Sequence, residues 1–112
     1  MDIQHSDLEG TRIVKIAGRL DTAGVDAIET RFNALIVPGA KNVIVDLADV
    51  TFLASLGIRM LITTTRSLSR KGAKLVLYGA TAAVNEILET TALHQIIPIA
   101  VTEHEALALA TG

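Results

Sequence analysis

A chain of 112 residues, half of them hydrophobic, has the size of one domain that can bury a core without disulfide or metal staples. Only Phe32, Phe52 and Tyr78 are aromatic, the formal charge is −2 and no basic block occurs, which argues against base stacking and against nucleic acid as a partner. Cysteine is absent, MDIQHSDLEG has no basic-then-apolar leader pattern and no apolar run reaches membrane-spanning length, so a cytoplasmic protein without a membrane partner is expected.

Ile3 to Asp7 and Thr11 to Leu20 read as two strands joined by a turn at Glu9-Gly10. Asp21 and Thr22 are candidate caps for a helix with Val25, Ile28, Phe32 and Leu35 on one face, ended by Pro38-Gly39. Val43, Ile44, Val45 and Leu47 form the nearly continuous apolar block of a strand covered on both faces. A loop through Asp49, Val50 and Thr51 leads to Ser55, placed to cap a helix whose core face is Ile58, Leu61, Ile62, Thr65 and Leu68. Lys71-Gly72 stops that helix. Lys74 to Tyr78 is a strand closed by Gly79, and a helix from near Thr81 buries Val84, Ile87, Leu88 and Thr91. Ile99 to Val101 is a short last strand, and Thr102 with Glu105 makes the capping-box pattern of a terminal helix. The order predicts one α/β domain over residues 1–112. Its sheet is mixed and mostly parallel, with four to five strands, an antiparallel first hairpin and about four helices.

Ser55 carries the strongest functional signal. A hydroxyl at a helix start is by default a cap, but free N–H groups and the helix dipole also favour a phosphate there. On the same helix Leu56, Met60, Thr63 and Ser67 fall opposite the predicted core stripe, with Arg59, Arg66 and Arg70 along one flank, which makes a small candidate contact patch. Gly57 inside a helix costs roughly 1 kcal/mol relative to alanine, and either tight packing or close approach of another protein explains it. Asp46 and Asp49 flank the end of the buried strand, where hydrogen bonding to local N–H groups is the ordinary role. His5, His94 and His104 lack metal-ligand spacing, and no catalytic carboxylate pair, P-loop lysine, dinucleotide fingerprint or nucleophile elbow is present. No cofactor and no catalysis by the chain itself are expected.

Four segments, GRLDTAGV, VIVDLADVTFLASLGIRML, KLVLYGA and LETTALHQIIPIAVTEHEALA, together resemble the STAS domain family, and within it the stand-alone bacterial anti-sigma factor antagonists. Members commonly read Asp-Ser-Ser/Thr-Gly-Leu-Gly in the central segment, and the first serine is phosphorylated by a partner kinase. That serine corresponds to Ser55 here and the glycine to Gly57. Ala54 stands for the usual acidic residue, Leu56 for the usual hydroxyl and Arg59 for the second glycine, while Ala92 and His94 depart from a later Gly-Leu-Asp. The resemblance implies a single STAS-like domain and partner switching. The unmodified protein binds an anti-sigma factor serine kinase, phosphorylation on Ser55 releases it, and a metal-dependent serine/threonine phosphatase resets it. Asp21, Leu56, Gly57, Arg59 and Met60 are the expected partner contacts, and ATP and magnesium belong to the kinase. A non-phosphorylated STAS scaffold and a nucleotide- or small-ligand-binding STAS module are the alternatives.

Overall fold

The computed structural model describes residues 1–39 and 41–111. Strand β1 (Asp2–Leu8) turns through Glu9 and Gly10, both at positive φ, into β2 (Thr11–Leu20). There follow α1 (Thr22–Ile36), β3 (Val43–Leu53), α2 (Ser55–Arg70), β4 (Leu75–Tyr78) and α3 (Ala82–Thr90). A 3₁₀ turn (Leu93–Gln95), β5 (Ile99–Ala100) and α4 (Glu103–Thr111) complete the chain. The strands lie in sequence order, β1-β2-β3-β4-β5, with β1 antiparallel to β2 and every other pair parallel.

That order dictates the layers. Crossovers between successive parallel strands are right-handed, so strands added in one direction place their connecting helices on the same face. Val25, Ile28 and Phe32 of α1, Leu61 and Leu68 of α2 and Val84 and Leu88 of α3 accordingly share one core with Val14, Ile16, Val45, Leu47 and Leu77. Alternate strand residues Ile44, Val76 and Ala100 point the other way, onto Ala106 and Ala110 of α4. The apolar block at Val43–Leu47 is thus covered on both faces, as its pattern predicts. Among the described residues no helix is long and apolar enough to cross a membrane.

Three expectations need correction. The stretch Asp49–Thr51 is strand rather than loop, because β2 pairs with β3 as far as Leu20 opposite Leu53. Irregular register between Lys15 and Ala17 and between Gly18 and Arg19 takes up the extra β3 residues as bulges. At the first, Ala48 N–H donates to Asp46 Oδ1 at 2.9 Å and Lys15 Nζ meets Asp49 Oδ2 at 3.2 Å, so both carboxylates serve the strand itself. Thr91 is exposed just past α3, its hydroxyl donating to the Ile87 carbonyl, instead of lying in the core. Finally, α2 is rotated from its expected phase. It buries Gly57, Met60, Leu61, Thr64 and Leu68, while Ile58, Ile62 and Thr65 are half-buried.

Candidate functional site

Two helices begin side by side at the C-terminal edge of the sheet. Leu20 and Leu53 are register partners at the ends of β2 and β3, and each is followed within two residues by a helix. Ala54 N–H donates to the Leu20 carbonyl at 3.0 Å, tying the start of α2 to the strand that launches α1. This edge, where strands hand over to helix N-termini, is where α/β sheets present ligand-facing groups.

At the α1 end the donors are occupied. Asp21 is the N-cap and its Oδ1 accepts the Gly24 N–H at 2.9 Å. Its other oxygen meets Arg19 Nε at 3.3 Å, and the Arg19 guanidinium also lies 4.5 Å from the centre of the Phe52 ring. The Gly24 N–H first, and the arginine second, hold the Asp21 carboxyl below its ordinary pKa. Asp21 therefore caps and anchors, as its cap reading predicts. Arg19 escaped the sequence reading because its partner Phe52 is set by a bulged register, which has no local signature.

The α2 end differs. Ala54, not Ser55, is the N-cap, and it offers no side-chain hydrogen bond. Ser55 is the first helical residue and is exposed, so its hydroxyl is presented outward beside N–H groups that no side-chain cap covers. Leu56 is 37% exposed and Arg59 is exposed next to it. Met60, expected on the outer face, is only 3% exposed. It forms part of a shallow cleft between α1 and α2, with Val25, Glu29, Asn33, Leu56 and Arg59 around it. Gly57 is buried, and a Cβ there would sit 2.7 Å from the Leu20 carbonyl oxygen and 2.8 Å from its Cγ. Packing against β2 accounts for this glycine without any partner.

Chemically, the α2 start is open where the α1 start is closed. It joins an exposed hydroxyl, N–H groups without a side-chain cap, the adjacent apolar Leu56 and exposed Arg59. Ser55, Leu56 and Arg59 share the open surface, Asp21 lies at the neighbouring helix start, and Gly57 and Met60 pack beneath.

The profile of the STAS domain matches residues 2–106. A Bordetella bronchiseptica protein assigned as an anti-sigma factor antagonist, BtrV, is 24% identical over 96% of this chain and 93% of its own. The crystal structure of an anti-sigma factor antagonist from Mycobacterium paratuberculosis superimposes with a TM-score of 0.88 at 23% identity, covering 99% of this chain and 94% of that one. The phosphorylated form of the Bacillus cell fate determinant SpoIIAA gives 0.68 at 21% identity, covering 96% and 97%.

Proposed function

The chain belongs to the STAS domain family, and on that premise we propose that it is an anti-sigma factor antagonist switched by phosphorylation of Ser55. Unmodified, it binds an anti-sigma factor that is also a serine kinase. Once phosphorylated it lets go, and a metal-dependent serine/threonine phosphatase restores it. The names carried by BtrV and by the mycobacterial structure support the antagonist role, and a relative solved in a phosphorylated form supports the modification.

The observation that carries the reading is the exposure of Ser55 at an uncapped helix start, directly beside exposed Leu56. A partner that covers Leu56 and Arg59 must also cover Ser55. Phosphoserine adds nearly two negative charges, and desolvating them in an apolar contact weakens binding unless cations compensate. A penalty of about 3 kcal/mol already lowers affinity about a hundredfold. Met60 and Gly57 contribute from below by holding the helix against α1 and β2, and Asp21 contributes at the edge of the contact.

The test is titration of the anti-sigma factor kinase against Ser55→Ala and Ser55→Asp. Because Ser55 is not the cap, the alanine variant keeps its stability and binds constitutively. The aspartate variant should bind about a hundredfold more weakly. Equal affinity of the two variants, or no phosphate on Ser55 after incubation with the kinase and ATP, would overturn the switch.

A further inference from the structure

The two edges of the sheet are treated very differently. β5 is two residues long and follows Pro98, which is a guarded edge. β1 runs for seven residues, pairs with β2 without a bulge, contains no proline and is exposed at every position except half-buried Ile3. Its charges lie near the ends, at Asp2 and Asp7, and Asp7 is already neutralised by Arg12 Nε at 2.9 Å and Lys41 Nζ at 3.3 Å.

The hairpin fixes which backbone groups face outward. With a two-residue loop at Glu9-Gly10, the closing pair Leu8 and Thr11 exchanges hydrogen bonds, and so do the alternate pairs Ser6–Ile13 and Gln4–Lys15. Ile3, His5 and Asp7 must then turn their N–H and C=O groups away from β2. Two contacts agree. Ile3 N–H donates to the Asp2 side chain at 3.1 Å, and Arg12, opposite Asp7, gives its N–H to the Asn42 carbonyl on the far side of β2.

From this pattern we propose that β1 is a self-complementary edge through which two copies of the chain pair antiparallel, centred on His5. In that register the outward residues match: His5 faces His5 of the second copy and Ile3 faces its Asp7, each pair exchanging both N–H···O bonds once the Ile3 N–H exchanges its exposed Asp2 contact for the Asp7 carbonyl of the second copy. Slipping by two residues in either direction loses one of these outward pairs. Parallel pairing instead sets Asp2 beside its own equivalent. The antiparallel arrangement is therefore favoured by charge as well as by hydrogen bonding, and it makes one continuous sheet from the two domains.

The experiment uses the absence of native cysteine. In the centred register Gln4 faces Ser6 of the second copy in a non-hydrogen-bonded pair, with Cα atoms about 4.5 Å apart, within disulfide range. An equimolar mixture of Gln4→Cys and Ser6→Cys proteins, air-oxidised and weighed intact, should give the mixed disulfide well above either homodimer. By sedimentation the unmodified protein should rise from 11.8 kDa towards twice that mass between micromolar and millimolar concentration. His5→Pro removes an outward N–H without breaking the β1–β2 ladder, so it should stay monomeric with little change in melting temperature. A purely monomeric native protein at millimolar concentration, or disulfides in statistical proportion, would overturn the proposal. If His5→Pro fails to fold, the cysteine pair still decides.

Discussion

The starts of α1 and α2 follow one plan with one difference. Each N-cap residue is followed three positions later by a glycine, and each glycine packs against the end of β2: Gly24 on the Arg19 carbonyl and Gly57 on the Leu20 carbonyl. The two helices thus grip the last two residues of a single strand, which brings their N-termini together. The caps differ. Asp21 closes the α1 start with its own carboxylate, whereas Ala54 leaves the α2 start to solvent, a partner or a phosphate. One helix start is closed by its own side chain, and its neighbour is left open.

The largest effects should come from what the two starts share. A methyl group at Gly24 would overlap the Arg19 carbonyl oxygen, and one at Gly57 would press the Leu20 backbone. Gly57→Ala should cost about 3 kcal/mol and Gly24→Ala at least as much, measured by urea unfolding. A stable Gly57→Ala protein that only loses its partner would reassign this glycine to the interface.

Next, the two apolar side chains of the α2 start should separate. Met60→Glu places a charge in the core and should destabilise by about 3 kcal/mol or more. Leu56→Glu should stay within about 0.5 kcal/mol of the parent while weakening partner binding. Equal melting temperatures for the two would return Met60 to the outer face.

Exchanging the caps should then move stability in opposite directions. Ala54→Asp should gain about 1 kcal/mol by supplying the missing acceptor, and Asp21→Ala should lower the melting temperature. In the parent, phosphate on Ser55 should stabilise the fold by about 0.5 kcal/mol through the open N–H groups and the dipole. In Ala54→Asp that gain should vanish, because the site is filled and carries a like charge. A phosphorylated parent that melts lower than the unmodified protein would contradict this account.

The smallest effect is in acid. A depressed folded-state pKa contributes stability that is fully present above the unfolded value and is lost as pH falls through the folded one. For Asp21 the loss therefore begins near its ordinary value of 3.8 and continues below it. Asp7, held at about 2 chiefly by Arg12, loses its contribution over the same range. Amide exchange at Gly24 should accelerate in this window relative to Gly57, since the α2 start has no side-chain cap to protonate. Equal acceleration at both sites would show that the Asp7 pair, not the cap, sets the acid response.

Much of this was legible from the chain alone. The limits of β2, the Glu9-Gly10 turn, the cap at Asp21, the helix start near Thr81, the stops at Gly72 and Gly79 and the largely parallel sheet all rest on local signals. Turn glycines, capping side chains and the periods of apolar residues act within a few positions of one another. The exposure of Ser55 was legible for the same reason.

Tertiary structure decided the rest. How far β3 runs depends on β2 beside it, and the Leu20 carbonyl, by accepting from Ala54, passes the cap from Ser55 to a residue with no capping group. The rotation of α2 was also undetermined, since Leu61 and Leu68 belong to both the expected and the observed faces. Leu20 fitting against Gly57 and Thr64 donating to Asn33 at 3.4 Å select the face that buries Met60. Ala92 is a further case: at φ 58°, where the family commonly has glycine, it holds a left-handed turn that nothing in its side chain announces. For β3 and α2 the deciding contact lies a full strand or helix away in sequence, and periodicity carries no information over that distance.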